Sequence, residues 1–136
     1  MNTQPRAHTW NKPPARPQPF ETPKHSPPFI DHWVLQLHGV DPQRLVDPHC
    51  LKSRLEGVLT SLNLTPVSSH THFFGPGVST VFILSESHLS VHTWPELGYM
   101  HVDIVTCVPK LSRDSLEAVF RSAFQPDEFL LNQIEY

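Results

Sequence analysis

The hydrophobic pattern of the chain changes at Phe29. The run F-I-D-H-W-V-L-Q-L-H-G-V that follows is rich in strand formers and stops at Gly39, which predicts a first strand. Asp47 followed by Pro48 predicts a helix start, with a capping side chain and then proline at the first helical position. Leu51, Leu55, Val58, Leu59 and Leu62 recur at helical spacing and form one face. Strands are predicted at about 64–73, 79–85, 88–94 and 100–106. Ser112 or Asp114 opens a second helix, with Glu117 placed for a capping box and Leu116, Val119, Phe120, Ala123 and Phe124 as its apolar face. A last strand, F-L-L-N-Q-I, lies near 129–134. The order β-α-β-β-β-β-α-β predicts an α+β two-layer sandwich, a mostly antiparallel sheet with two helices on one face.

Composition divides the chain in two. Eight of its fifteen prolines fall within residues 1–28, which predicts a proline-rich disordered arm ahead of one domain over 29–136. Ten Lys and Arg against thirteen Asp and Glu leave a net charge of −3. Phosphate recognition needs a clustered basic surface, so no nucleic-acid partner is expected, and no polybasic membrane anchor either. No signal peptide or membrane span is readable, and two cysteines, Cys50 and Cys107, cannot build a disulfide framework. The expected compartment is the reducing cytoplasm, with both cysteines as free thiols.

Chemistry-bearing residues concentrate between His70 and Cys107, a window with five of the ten histidines. His70 with His72 and His88 with His92 could share strand faces, yet such pairs lack a third ligand at metal-site spacing, so no metal is expected. A hydrolytic nucleophile, Cys107 or Ser87, lacks both the G-x-S-x-G elbow and a papain-like context.

A third reading is specific. The run from Gly77 to Cys107 carries E-S-H-L-S-V-H-T-W-P-E at 86–96, G-V-S at 77–79 and D-I-V-T-C at 103–107. It closely resembles the core of the small prokaryotic S-adenosylmethionine decarboxylases, including the spacings Ser79 to Ser87 and Ser87 to Cys107. The resemblance implies a pyruvoyl-dependent lyase made as a proenzyme. Such a chain cuts itself at the Glu86–Ser87 bond into 1–86 and 87–136, and Ser87 becomes the pyruvoyl cofactor with no metal involved. The pyruvoyl ketone forms a Schiff base with a small substrate carrying an amino-acid group and acts as an electron sink. By the same resemblance Cys107 is the proton donor, His92 and Ser79 assist processing, Phe73 and Trp94 stack on adenine, and Glu96 binds the ribose hydroxyls. The active form implied is a homodimer of processed protomers. The product would donate aminopropyl groups for spermidine synthesis in polyamine biosynthesis.

Around the motif, Thr80 stands where the family usually has glycine, and Gly75, Pro76, Ser85, Val105 and Val108 also depart from its pattern. Two alternatives therefore stand beside the main reading. One is the same self-processing fold acting on L-ornithine or L-arginine, and the other is an uncleaved, non-catalytic regulatory paralogue. Strand alternation sets Ser87 on the face opposite His88, Ser90 and His92. Cooperation between Ser87 and His92 thus predicts a turn or bulge beside the scissile bond. His88, next to the cut, is read either as orienting the new terminus or as packing.

Overall fold

The computed structural model describes residues 24–109 and 111–136. Most of the predicted arm, residues 1–23, lies outside them. Six strands and two helices follow in chain order: β1 (Asp31–His38), α1 (Pro48–Ser61), β2 (Ser68–Phe73), β3 (Val78–Leu84), β4 (Ser87–Trp94), β5 (Tyr99–Thr106), α2 (Arg113–Phe124) and β6 (Glu128–Ile134). The strands form one sheet in the order β2-β3-β4-β5-β1-β6, and every neighbouring pair is antiparallel. The predicted sandwich is thus observed, with an all-antiparallel sheet.

Asp47 caps α1 as expected: its carboxylate accepts the Cys50 N–H at 2.9 Å, a bond that holds its pKa below the ordinary value. Leu51, Leu55, Val58 and Leu59 are buried beneath it. Burial of each such side chain stabilises by about 1.5–3 kcal/mol. The second capping box differs from the expected one. Ser112 caps α2 and pairs with Ser115, whereas Glu117 sits two residues further on and bonds Arg121 at 2.8 Å. With Ser112 rather than Asp114 as the cap, Ser115 occupies the third helical position.

Alternate residues of the central strands face the helices. Trp33, Leu35 and Leu37 of β1, Leu89 and Val91 of β4, and Met100, Val102 and Ile104 of β5 join Phe120 and Phe124 in the core. The opposite face has no helix over it. It carries polar side chains together with Val34, Val81, Ile83, Val105, Leu130 and Ile134, of which Ile83, Leu130 and Ile134 are about 40% exposed. Among the described residues, no helix is long and apolar enough to cross a membrane.

Candidate active site

The β3–β4 hairpin is closed by two residues, Ser85 and Glu86, between the paired Leu84 and Ser87. Ser85 has φ +64° while Glu86 does not enter the positive region, and glycine is the residue that usually takes such a φ. An L-residue there costs roughly 1–2 kcal/mol, so backbone strain sits one residue before the Glu86–Ser87 bond. Cys107, just past the end of β5, addresses that bond twice. Its backbone N–H donates to the Ser87 hydroxyl oxygen at 3.1 Å, and its thiol donates to the Glu86 carbonyl oxygen at 3.3 Å. A cleft of about 410 Å³ opens over Glu86, Ser87 and Cys107, walled by Leu64, Thr106 and Val108.

The other end of the same hairpin holds a second group. Ser79 and His92 are directly opposite each other, and the Ser79 hydroxyl bonds His92 Nδ1 at 2.7 Å. Gly77 lets β3 begin against β4, since a Cβ there would lie 2.7 Å from the Thr93 carbonyl oxygen. Thr93 fastens this end to the core, accepting the Val78 N–H and donating to the Leu45 carbonyl, each at 3.0 Å. A cleft of about 460 Å³ is lined by Ser79, His92, Trp94, Glu96 and Phe74. Trp94 leans on Tyr99 at 5.3 Å between ring centres. Burial raises the Tyr99 pKa, so it remains a neutral phenol, donating to Gln36 at 3.2 Å.

The predicted residues therefore separate into two groups. Ser87, Glu86 and Cys107 meet at the turn, and Ser79, His92, Trp94 and Glu96 meet at the opposite end. Phe73 does not join them. It closes β2 beside Pro48 and Lys52 on the α1 side, and the next residue, Phe74, lines the cleft instead, where it packs on His72 at 4.4 Å. The expected bulge is also missing, because β3 and β4 pair without interruption from Ser79–His92 to Leu84–Ser87. Five positions of extended strand put roughly 16 Å between Ser87 and His92, on opposite sides of the sheet.

Thr80 faces the buried side and bonds the Thr71 hydroxyl at 2.7 Å, so the side chain replacing the usual glycine stays out of the cleft. Among the described residues, no three His, Cys, Asp or Glu side chains converge as a metal-binding group. Sequence reading passed over Phe74, Thr93 and Asp103. Asp103 accepts from His32 Nε2 at 2.9 Å and His88 Nε2 at 3.2 Å. Burial raises its pKa, but those two hydrogen bonds outweigh burial and the net shift is downward.

A family model described as S-adenosylmethionine decarboxylase matches residues 31–135. An S-adenosylmethionine decarboxylase proenzyme from Sulfurihydrogenibium sp. (strain YO3AOP1) is 44% identical over 77 residues, 56% of this chain and 58% of the relative. The match to that relative thus spans little more than half of its length. A proenzyme of the same name from Methanococcus aeolicus is 35% identical over 99 residues, 72% of this chain and 85% of the relative. The crystal structure of the adenosylmethionine decarboxylase from Aquifex aeolicus VF5 superposes with a TM-score of 0.71 at 30% identity, covering 81% of this chain and 92% of that one. An AdoMetDC monomer from Trypanosoma brucei, at 15% identity and a TM-score of 0.57, shares the fold. With its motif, its two-ended hairpin and these likenesses together, the chain belongs to the S-adenosylmethionine decarboxylase family, a family of decarboxylating lyases.

Proposed function

We propose that this protein cuts itself at Glu86–Ser87 and then decarboxylates S-adenosylmethionine in a homodimer whose two active sites each draw on both chains. One observation carries the reading: the Cys107 thiol and backbone N–H converge on the scissile peptide and its serine, at 3.3 Å and 3.1 Å.

The residues fit the making of a pyruvoyl group from Ser87. Attack by the Ser87 oxygen on the Glu86 carbonyl carbon closes a five-membered ring and moves the acyl group from nitrogen to oxygen. Negative charge gathers on the Glu86 oxygen, where the Cys107 S–H already points. The Ser79–His92 pair supplies a base for the Ser87 Cα proton, because an Nδ1–H donating to the Ser79 hydroxyl oxygen fixes the imidazole's orientation and leaves the Nε2 lone pair free. Loss of that proton expels the Glu86 carboxylate and leaves dehydroalanine at 87. Water then enters, ammonia leaves, and a ketone remains. Such a group on residue 87 would supply an electron sink for decarboxylation of a bound amine. Cys107 is then placed to return a proton to the substrate carbon, since thiols are ordinarily protonated near neutral pH. Trp94 and Phe74 offer faces to adenine, with Phe74 in the place expected of Phe73, and Glu96 offers a carboxylate to the ribose hydroxyls. The product suits aminopropyl transfer in spermidine synthesis.

Within one chain the two groups are roughly 16 Å apart, too far for His92 to serve Ser87. Two copies pairing by a two-fold axis through their helix-free sheet faces can bring each turn against the partner's open hairpin end. The half-exposed Ile83, Leu130 and Ile134 give that face apolar surface to bury.

Intact mass under denaturing conditions tests the reading, with Ser87→Ala as control. Two fragments breaking between 86 and 87, the smaller with a ketone in place of an amino terminus, support it. Release of carbon dioxide from carboxyl-labelled S-adenosylmethionine, and not from L-ornithine or L-arginine, supports the substrate. A persistently uncut wild-type chain overturns it and leaves the regulatory paralogue.

A further inference from the structure

We propose that Asp103, bound to His88 and His32 at once, positions the newly formed end of β4, so that it serves turnover and not the cut. The inference rests on the self-cleavage proposed above.

Before cleavage the first residue of β4 is held by covalent chain through the two-residue turn and by pairing of Ser87 with Leu84. Cleavage removes the covalent hold. It also removes the N–H of residue 87, whose nitrogen leaves as ammonia. The reactive group then stands at a free strand end, and such ends fray unless tied down. A group that must meet a substrate within a few tenths of an ångström needs a tether there.

His88 supplies one. It is the residue next to the cut, and its side chain lies on the helix-free face with its Nε2 on Asp103 Oδ1 at 3.2 Å. The other oxygen, Oδ2, takes His32 Nε2 at 2.9 Å, and the Tyr136 hydroxyl meets His32 Nδ1 at 2.8 Å. An N–H at Nε2 leaves Nδ1 free to accept from the tyrosine, so each bond favours the other. The bridge spans β4, β5 and β1. In the sheet register Asp103 stands opposite Ser90 and Val34, whereas His88 and His32 both stand opposite Val105. Both bonds thus run diagonally toward the end of the sheet that holds Ser87 and Cys107. None of these three side chains touches the scissile bond, and the chemistry of cleavage makes no use of them.

The test uses the full chain as wild type, Asp103→Ala, His88→Ala and His88→Gln, the last keeping an N–H donor near the Nε2 position. Intact mass follows cleavage, and labelled carbon dioxide gives kcat and KM for the cleaved protein. Hydrogen exchange of the first β4 amides, 88–91, is read whatever the substrate. The expected result is cleavage of both alanine variants within twofold of wild type, with kcat lowered about tenfold, as for one lost charge-assisted hydrogen bond. KM changes little, exchange at 88–91 quickens, and His88→Gln recovers most of kcat. Should Asp103→Ala not fold, His88→Ala carries the test, since His88 is the more exposed partner. Equal losses in cleavage and kcat would make the bridge a plain structural element and overturn the inference. So would a kcat within twofold of wild type with unchanged exchange. A wild-type chain that stays uncut overturns the self-cleavage reading itself, which separates the two failures.

Discussion

The two ends of one hairpin do different work. At the turn, β3 and β4 meet through a strained Ser85 and present a peptide bond to a serine and a cysteine. At the open end the same strands, tied through Thr93 to the core, present a serine–histidine pair beside Trp94 and Glu96. Among the described residues the turn-end cleft is lined by Glu86, Ser87 and Cys107 but by no histidine. The open-end cleft is lined by His92 together with Phe74, Trp94 and Glu96. A rigid antiparallel pair cannot bring its two ends together, and in the function proposed above the completing half comes from a second copy.

Changes at the turn end should be the more severe. Ser87→Ala is expected to abolish cleavage, since no hydroxyl remains to take the acyl group, and with it all turnover; an uncut mass and no carbon dioxide release check this. Cys107→Ala removes the donor aimed at the Glu86 oxygen and should slow cleavage about 10²–10³-fold, the usual loss for one such donor. Cys107→Ser restores an O–H and should recover part of the cleavage rate, as timed gels would record.

Along the aromatic wall of the open end the effects should fall on binding. Phe74→Ala and Trp94→Ala each remove an aromatic face of the kind worth ~1–3 kcal/mol per stacked base, so KM should rise about tenfold or more while cleavage is spared. Phe73→Ala, on the α1 side, should leave KM near wild type, and equal effects of Phe73 and Phe74 would erase the distinction between them.

The smallest effect concerns pH. Hydrogen bonds from His32 and His88 hold the Asp103 pKa below its ordinary 3.8 against the upward push of burial. A carboxylate with a depressed folded pKa adds stability above its unfolded pKa and loses it as pH falls through the folded value. Asp103→Asn should therefore lower Tm near neutral pH, and the gap should close below pH 3.8. Thermal melts of both proteins across that range decide it.

Much of this was legible in the chain. Asp47 before Pro48 and the leucine spacing after it fixed α1, and strand-forming runs gave all six strands to within a few residues. The motif named every predicted side chain found in the two clefts. What escaped were relations that local pattern does not encode. Phe74 escaped because it lies one residue past the end of β2, and alternation cannot be counted past a strand end into a turn with Gly75 at φ +56°. Glu117 was misassigned because two residues could cap α2, and the choice of Ser112 shifts the third position to Ser115. A bulge was expected on the assumption that Ser87 and His92 act within one chain, whereas β4 runs straight. The bridge of Asp103 to His32 joins residues 71 positions apart and becomes visible only once β1 lies beside β5.

Sharing of each site between two chains is tested by one mixing experiment. Ser87→Ala and His92→Ala chains, each uncut alone, are co-expressed with distinguishable masses, and the mixture is followed by intact mass under denaturing conditions. The account predicts that cleavage appears only on mixing and only in the His92→Ala chain, whose Ser87 is served by the partner subunit's His92. Cleavage absent from the mixture, or full cleavage of His92→Ala on its own, would contradict it.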